Sequence, residues 1–290
     1  MRSTISAKLF RALQKGKAQL SAEALAKIAD FVASQKTDNG AFKNKSGTAD
    51  LYYTSFGLFL LYILDNQIDI SKTKLYLSQQ NTSDLDLIHY AAYLRCRMME
   101  RLTKWGKIGL LAQPFFAKKI RSLSTFSDVP HGDFQSPYTQ FVWLSLLEDA
   151  GCCAKPVEAL ENYHLPNGGY KNSADGLTAT TNATVAALAV QGQLRGYKEN
   201  DDVLFLRNAQ DESGGFFAAA NSPVPDLLST ATALFVLNCY GVKPKYSARN
   251  FIEAHWLNSG GFSATLLEEK SDVEYTFYGL LALGASASYQ

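Results

Sequence analysis

The chain has 290 residues, of which 47% are hydrophobic and 19% charged, a composition typical of a soluble globular protein with a substantial buried core. Lysine and arginine number 28 against 27 acidic residues, so the net charge of +1 creates no overall field. Bulk charge therefore excludes nucleic acid as an expected partner, and any electrostatic recognition must be local.

The amino-terminal segment, MRSTISAKLFRALQKGKAQL, lacks the continuous apolar stretch and the small-residue cleavage site of a signal peptide. The most apolar run, residues 51–64, is shorter than the roughly 20 residues that span a bilayer, so we predict a buried core helix. The cysteines have neither disulfide-framework nor zinc-site spacing. These features predict a cytoplasmic protein with reduced thiols at Cys96, Cys152, Cys153 and Cys239.

A short phrase that ends in an aromatic residue recurs along the chain. Glycines such as Gly214 and Gly215 permit the backbone angles of a tight turn, so each phrase is predicted to join two helices. The last three aromatic residues lie 46 positions apart, a period that is typical of a repeat protein. The phrases are TDNGAF ending at Phe42, LPNGGY at Tyr170, DESGGF at Phe216 and LNSGGF at Phe262.

A polar residue follows each turn and opens an apolar stretch with helical spacing. A further helix is predicted before the turn, as in residues 21–34 and 203–210, and no strand-like alternation competes with this pattern. Six units of this kind predict a single domain over residues 1–290. The openings are Asp50–Thr54, Asp86–Tyr90, Gln135–Thr139, Thr180–Thr184, Asp226–Thr230 and Asp272–Thr276, the second and third without a clean glycine turn.

Three features together resemble a known repeat: a glutamine such as Gln35 or Gln210, a Gly-Gly-aromatic turn, and Asp-x-x-x-Thr opening an apolar helix. They are similar to the repeat of protein prenyltransferase β subunits and of squalene and other triterpene cyclases, over residues 22–286. The resemblance implies an all-α fold, an α/α toroid in which six outer helices surround six inner ones and a central cavity holds an isoprenoid chain.

The chain departs from both branches of this family at the residues that carry chemistry. The cyclases place their proton-donating aspartate where this sequence has Leu228, in Asp-Leu-Leu-Ser-Thr-Ala from Asp226. The prenyltransferases bind zinc through residues replaced here by Leu228 and Tyr275, and leucine offers no donor. Residues 221–225 lack the arginine and lysine that hold a diphosphate. The sequence predicts a zinc-free protein without cofactor, and the two replacements count against a β subunit's role with an α partner.

Asp226 has two interpretations. Aspartate is a preferred N-cap, and its recurrence at Asp50, Asp86 and Asp272 favours capping over catalysis. In both branches of the family, catalytic or ligand residues lie two and three residues after the cap. These positions differ between the units of this chain, so they are more informative about function than the cap is. In order they read Tyr52 and Tyr53, Ile88 and His89, Pro137 and Tyr138, Asn182 and Ala183, Leu228 and Ser229, Glu274 and Tyr275.

Glu274 is the one carboxylate among these positions. In an apolar cavity it would stay protonated near neutral pH and act as an acid, whereas a position at the rim would leave it in solvent. We take Glu274, Asp226 and Asp272 as the candidate acids. The candidate substrate-binding residues are Tyr52, Tyr53, His89, Tyr138, Asn182, Ser229 and Tyr275, with ordinary packing as the alternative for each.

Residues 101–121 fall outside the repeat pattern and combine basic residues with aromatic and aliphatic ones. Such a segment suits a helix that lies on an anionic membrane, and the triterpene cyclases that the repeat resembles are monotopic. An ordinary outer helix that covers the core explains the same pattern. A peripheral membrane contact and a packed outer helix both remain open.

Two functions from different classes follow. In the first, the protein is a divergent enzyme that binds an isoprenoid or other lipid-like substrate in an apolar cavity and starts the reaction with an acid. In the second, the catalytic groups have been lost and the same toroid binds a hydrophobic ligand or a partner protein. The first is favoured because an apolar cavity is the default site for a small molecule.

Overall fold

The computed structural model describes residues 3–64, 69–105, 135–151 and 158–289. Most of these residues are helical, and two 3-10 helices cover Glu158–Tyr163 and Ala287–Tyr289. The α-helices are α1 (Ile5–Lys17), α2 (Ala22–Ser34), α3 (Leu51–Ile63), α4 (Ser71–Ser78), α5 (Leu87–Trp105), α6 (Pro137–Asp149), α7 (Thr181–Arg195), α8 (Asp201–Asn208), α9 (Leu227–Tyr240), α10 (Arg249–Ala254) and α11 (Val273–Ser286).

Six of the described helices form a closed ring, because α3 packs on α5, α5 on α6, α6 on α7, α7 on α9, α9 on α11, and α11 again on α3. These are the apolar stretches that the repeat predicts as inner helices. The helices α2, α4, α8 and α10 pack on the ring from outside. The predicted α/α toroid is therefore confirmed, and α6 lies opposite α11 across the ring.

Short antiparallel strands connect the turns to the inner helices of the all-α fold. Strand β1 (Phe42–Lys43) pairs with β2 (Ala49–Asp50), and β3 (Phe262–Ser263) pairs with β4 (Ser271–Asp272). Isolated bridges join Tyr170 to Thr180 and Phe216 to Asp226 in the same way. Two-residue strands carry no alternation that a sequence pattern could reveal.

A buried threonine fastens each aromatic turn to the helix that follows. In the unit of Phe216, the Thr230 hydroxyl accepts the Phe216 N–H at 2.8 Å and donates to the Asp226 carbonyl at 2.7 Å. All four threonines of this kind are fully buried. The same N–H-to-hydroxyl bond joins Phe42 to Thr54 at 2.9 Å, Tyr170 to Thr184 at 2.9 Å and Phe262 to Thr276 at 3.4 Å.

Helix α1 lies across the carboxyl-terminal ends of the ring helices, a feature that the repeat pattern did not predict. At its start, the Ile5 N–H donates to Glu148 Oε2 at 2.8 Å, and the Ser6 hydroxyl donates to Asp149 Oδ2 at 2.7 Å. Glu148 and Asp149 are the last residues of α6. The negative carboxylates also suit the positive end of the α1 dipole.

The other end of α1 reaches α11 and α3 on the far side of the ring. Gly16 and Gly284 allow the backbones of α1 and α11 to touch, because a Cβ on either glycine would overlap backbone atoms of the other helix. Lys17 Nζ donates to the carbonyl of Ile63, the last residue of α3, at 2.9 Å. Among the described helices, α1 therefore covers the end of the ring opposite to the one that carries the capping residues.

We expect Thr230→Val to lower the free energy of unfolding by about 1–3 kcal/mol, because it leaves the buried Phe216 N–H without an acceptor while conserving the shape of the side chain. Thr230→Ser keeps the hydroxyl and should lose less. Urea denaturation of the three proteins measures this difference. Equal losses for valine and serine would show that the hydroxyl contributes nothing.

Candidate functional site

Glu274 lies in the first turn of α11, two residues after the cap Asp272. Its side chain is buried with 9% of its surface exposed, and Oε1 accepts a hydrogen bond from the Tyr52 hydroxyl of α3 at 2.9 Å. Tyr53 also bonds to this carboxyl group. The carboxyl group therefore sits between the first turns of two neighbouring ring helices.

Tyr138 reaches the same site from the opposite side of the ring. Its hydroxyl interacts with that of Tyr52 and with the Glu274 carboxyl group, although α6 is a neighbour of neither α3 nor α11. Tyr278, one turn further along α11, interacts with Glu274, Tyr138 and Tyr52. Side chains from three helices therefore converge on the interior of the ring, close to the amino-terminal ends of its helices.

Burial raises the pKa of Glu274 above its ordinary value, and the nearby charge of Asp272 acts in the same direction. Hydrogen bonds from Tyr52 and Tyr53 and the positive charge of Lys45 oppose the change without cancelling it. The neutral acid is therefore favoured more here than it would be in water, so Glu274 does not occupy the solvated position considered in the sequence.

An aromatic wall connects this acid to the middle of the ring. The ring centroids of Tyr52 and Phe56 are 4.9 Å apart, and those of Phe56 and Phe277 are 5.0 Å apart. Phe59 and Tyr278 extend the wall at 6.2 Å from Phe277 and 5.8 Å from Phe56. The predicted tyrosine at position 52 belongs to this wall, whereas Phe56, Phe277 and Tyr278 were not singled out from the sequence.

Asp226 caps α9, as the more favoured interpretation predicts. Oδ1 accepts the Ser229 N–H at 2.7 Å, and Oδ2 accepts the Ser229 hydroxyl at 2.7 Å. Burial raises the pKa of this carboxyl group, while the bonds from Ser229 act against the rise. Both oxygens are thus engaged by their own helix, and Ser229 itself is completely buried.

Asp272 caps α11 through the Tyr275 N–H at 2.8 Å, and burial raises its pKa. The Lys45 ammonium lies 4.8 Å from the centroid of the Tyr275 ring and 3.1 Å from Glu268 Oε2. These contacts join the loop before α3 to the loop before α11, where the first and last units of the ring meet. Lys45 was not among the residues selected from the sequence.

The remaining candidates lie apart from Glu274. The His89 ring nitrogen Nδ1 is 2.8 Å from Oδ1 of its own cap, Asp86, at an exposed position on α5. Asn182 of α7 accepts a bond from Thr232 of α9 at 3.3 Å. The structure brings Tyr52, Tyr53, Tyr138 and Tyr275 close to the acid Glu274, and it places His89, Asn182 and Ser229 in contacts within or between helices.

The register of one degenerate unit needs correction. Ser136, not Gln135, caps α6, since its hydroxyl oxygen accepts the Thr139 N–H at 3.3 Å and Pro137 follows at the first helical position. Tyr138 is therefore two residues after its cap, as Tyr52 and Glu274 are. This shift explains why Tyr138 points into the ring with them. Residues 106–121 of the predicted membrane segment lie outside the described ranges, as do Cys152 and Cys153.

The zinc ion of the resembled prenyltransferases does not fit this chain. Leu228 and Tyr275 occupy two ligand positions, and Ser229 engages both oxygens of Asp226. Within the described ranges, no three His, Cys, Asp or Glu side chains are grouped so that they could hold a metal ion. We derive no step that uses a metal.

A family model described as "Prenyltransferase alpha-alpha toroid domain" matches residues 3–88 and 141–287, which is most of the chain. No curated protein gives a significant match. In the part of the chain that the structure describes, every helix is too short or too polar to cross a membrane. The family match agrees with the ring of helices described above.

We expect Asp226→Ala to lower the free energy of unfolding by about 0.5–2 kcal/mol, because it removes the N-cap of α9, and Asp226→Asn to be nearly neutral, because asparagine caps equally well. Thermal or urea denaturation measures both. If asparagine were as damaging as alanine, the carboxylate charge rather than the cap would be what the fold requires.

The raised pKa of Glu274 predicts a pH-dependent effect on stability. Between the ordinary value of 4.5 and the higher folded value, the folded protein keeps a proton that the unfolded chain releases, so this group's contribution to stability falls as pH rises through that window. The free energy of unfolding of Glu274→Gln, relative to the unchanged protein, should therefore rise above pH 4.5 and then level off.

Urea denaturation at several pH values tests this, with Glu23→Gln on the exposed face of α2 as the matched control. Glu23 pairs with Lys27 at the surface, 3.1 Å away. A difference for Glu274→Gln that stays constant with pH, or falls, would contradict the raised pKa.

Proposed function

Because this chain belongs to the prenyltransferase alpha-alpha toroid family, we propose that it binds an isoprenoid or similar lipid-like substrate inside the ring and protonates it from Glu274. The observation that supports the proposal best is the buried Glu274 carboxyl group, with its raised pKa, at one end of an aromatic wall. A neutral carboxylic acid next to aromatic faces is suited to producing and stabilising a carbocation.

The proposed reaction is an isomerisation or cyclisation that starts with a proton. Tyr52 donates to Oε1, which leaves the other oxygen to carry the acidic proton. Transfer of that proton to an alkene carbon forms a C–H bond and a cation on the adjacent carbon. Transfer of a proton from a neighbouring carbon back to the Glu274 carboxylate restores an alkene and the acid, so the product has the same mass as the substrate.

The aromatic wall supplies ring faces along the path that such a cation would occupy. Phe56, Phe277 and Tyr278 are within 6 Å of one another, and each attraction of a desolvated cation to a ring face is worth on the order of 1–2 kcal/mol. Tyr138 keeps 38% of its surface exposed, yet desolvation dominates the rise in its pKa. That combination supports a partly enclosed space in front of the tyrosine.

Zinc-dependent prenyl transfer is not supported by the residues present, since Leu228 and Tyr275 replace two ligands. A binding protein without chemistry is the remaining candidate. It is favoured only by the departures at the family's catalytic positions, and it shares the interior site with the proposed enzyme. The two are separated by whether a bound ligand is changed.

We expect the purified protein to bind at least one of farnesyl diphosphate, geranylgeranyl diphosphate and squalene, and to convert it to an isomer. Native mass spectrometry measures binding. Chromatography of the recovered lipid detects the isomer, which has the same mass as its precursor. Glu274→Gln should bind the same compound and give no isomer, because the amide has no acidic proton to transfer.

Glu23→Gln is the matched control and should leave both binding and conversion intact. Binding without conversion by the unchanged protein would establish the non-catalytic module instead. If none of the three compounds bound, an interior isoprenoid site would be contradicted. Conversion that survived in Glu274→Gln would remove Glu274 from the role of acid.

A further inference from the structure

Arg95 of α5 is a half-buried cation that the proposed reaction does not use. Its Nη2 donates to the hydroxyl of Ser145, on the neighbouring α6, at 2.5 Å. Within the described ranges, neither a carboxylate ion pair nor a second hydrogen bond involves this guanidinium group, which has five N–H donors. Among the described residues, most of its donors therefore have no hydrogen-bond acceptor.

Counting from the caps places Arg95 at the middle level of the ring. It is nine residues after Asp86, as Ser145 is after Ser136. An arginine at this level is surrounded mainly by side chains that cannot neutralise its charge. The other positions nine residues after a cap are Phe59, Ala189, Phe235 and Leu281, all apolar.

Two groups on α6 feel the charge of Arg95. It acts to lower the pKa of the Tyr138 hydroxyl, nearer the amino-terminal end, although burial raises that pKa overall. It acts in the same way on Asp149 at the opposite end, where burial is the larger influence and raises the pKa to about 6. Asp149 already accepts a hydrogen bond from Ser6 of α1 at 2.7 Å.

We propose that Arg95, with the hydroxyl group of Tyr138, binds the anionic head of a ligand whose apolar chain lies along the aromatic wall. Ser145 donates its one hydroxyl hydrogen to the Val142 carbonyl at 2.8 Å and positions the guanidinium group as its acceptor. The head is a carboxylate or a phosphate, since a guanidinium group pairs with the two oxygens of either. The inference rests on the proposed interior ligand site and specifies which end of the ligand lies deep in the ring.

The levels of Arg95 and Glu274 along the ring axis determine which part of the ligand lies next to the acid. Glu274 is two residues after its cap and Arg95 nine, and a helix rises about 1.5 Å per residue, so the two levels differ by roughly 10 Å. A head bound at Arg95 sends the chain towards Glu274. The acid would then act on an alkene far from the head. The residues halfway between the two levels on α5 and α7 are small, Ala92 and Ala186.

The carboxyl-terminal end of the ring offers no alternative route for the chain, because α1 covers it. Gly16 and Gly284 hold α1 against α11 without a gap, and Phe10 of α1 contacts Tyr62 of α3 with ring centroids 5.4 Å apart. Within the described ranges, α1 therefore leaves the end that carries Glu274 for the apolar chain.

The test compares three ligands with one chain and different heads: farnesol, farnesoic acid and farnesyl monophosphate. Binding is measured by isothermal titration calorimetry. We expect at least one of the two anions to bind about tenfold tighter than farnesol, since a charge-assisted pair strengthens binding by roughly that factor or more. Arg95→Met should abolish this difference and leave farnesol binding unchanged, while Arg95→Lys should retain part of it.

Arg97→Met is the matched control on the same helix. Arg97 forms an ion pair with Glu100 at 3.0 Å, so its loss should not affect the preference for an anion. A second variant, Ser145→Ala, should weaken binding of the favoured anion by a smaller factor. The relative affinities of farnesoic acid and farnesyl monophosphate then identify the head as a carboxylate or a phosphate.

Equal affinity for farnesol and both anions, or a preference for an anion that survives in Arg95→Met, would overturn the anion site while leaving the interior site intact. Loss of farnesol binding in Arg95→Met would also overturn it, since the arginine would then act through the structure. If none of the three ligands bound, the proposed interior site would fail together with the inference.

Discussion

The repeated fold depends on one interaction, the buried threonine hydroxyl that accepts the N–H of an aromatic turn and donates to the carbonyl of its own helix cap. In the unit of Phe216, this places the fully buried Thr230 between the turn and Asp226. A backbone N–H left unpaired at such a position costs about 1–3 kcal/mol. Each unit therefore has a fixed distance between its turn and its inner helix.

That constraint also sets where the functional side chains point. Because the threonine is four residues after the cap and faces outward to the turn, the residue two after the cap faces the ring interior. Glu274, Tyr52 and Tyr138 occupy this position in three units and meet. Ser229 and His89, three after their caps, bond instead to the capping aspartates of their own helices. The capping residue therefore has a structural role in every unit, whereas the residue two positions after it differs between units.

The parts of this arrangement that depend on local spacing could be predicted from the sequence. The turn, the cap at Asp226 and the inner helices follow from glycine, aspartate and helical periodicity. What could not be predicted depends on closure of the ring. Tyr278 and Arg95 become interior residues only because helices distant in sequence face each other. Helix α1 belongs to no repeat, and the serine cap before Pro137 shifted one unit by a residue.

Glu274 and Arg95 do not neutralise each other inside the ring, and this favours a ligand between them. Their levels in the ring differ by roughly 10 Å, so with an effective dielectric constant of about 20 their attraction is worth at most about 1.7 kcal/mol. The desolvation of each charge costs several kcal/mol, so that attraction does not offset it. Glu274 can avoid this desolvation cost by keeping its proton, and burial favours this because it raises the pKa of Glu274. Arginine has no such option, because it stays charged in proteins. A bound anion supplies a negative charge to Arg95, in addition to that of Asp149 at the end of α6, without requiring Glu274 to ionise, which is the condition that a proton donor needs.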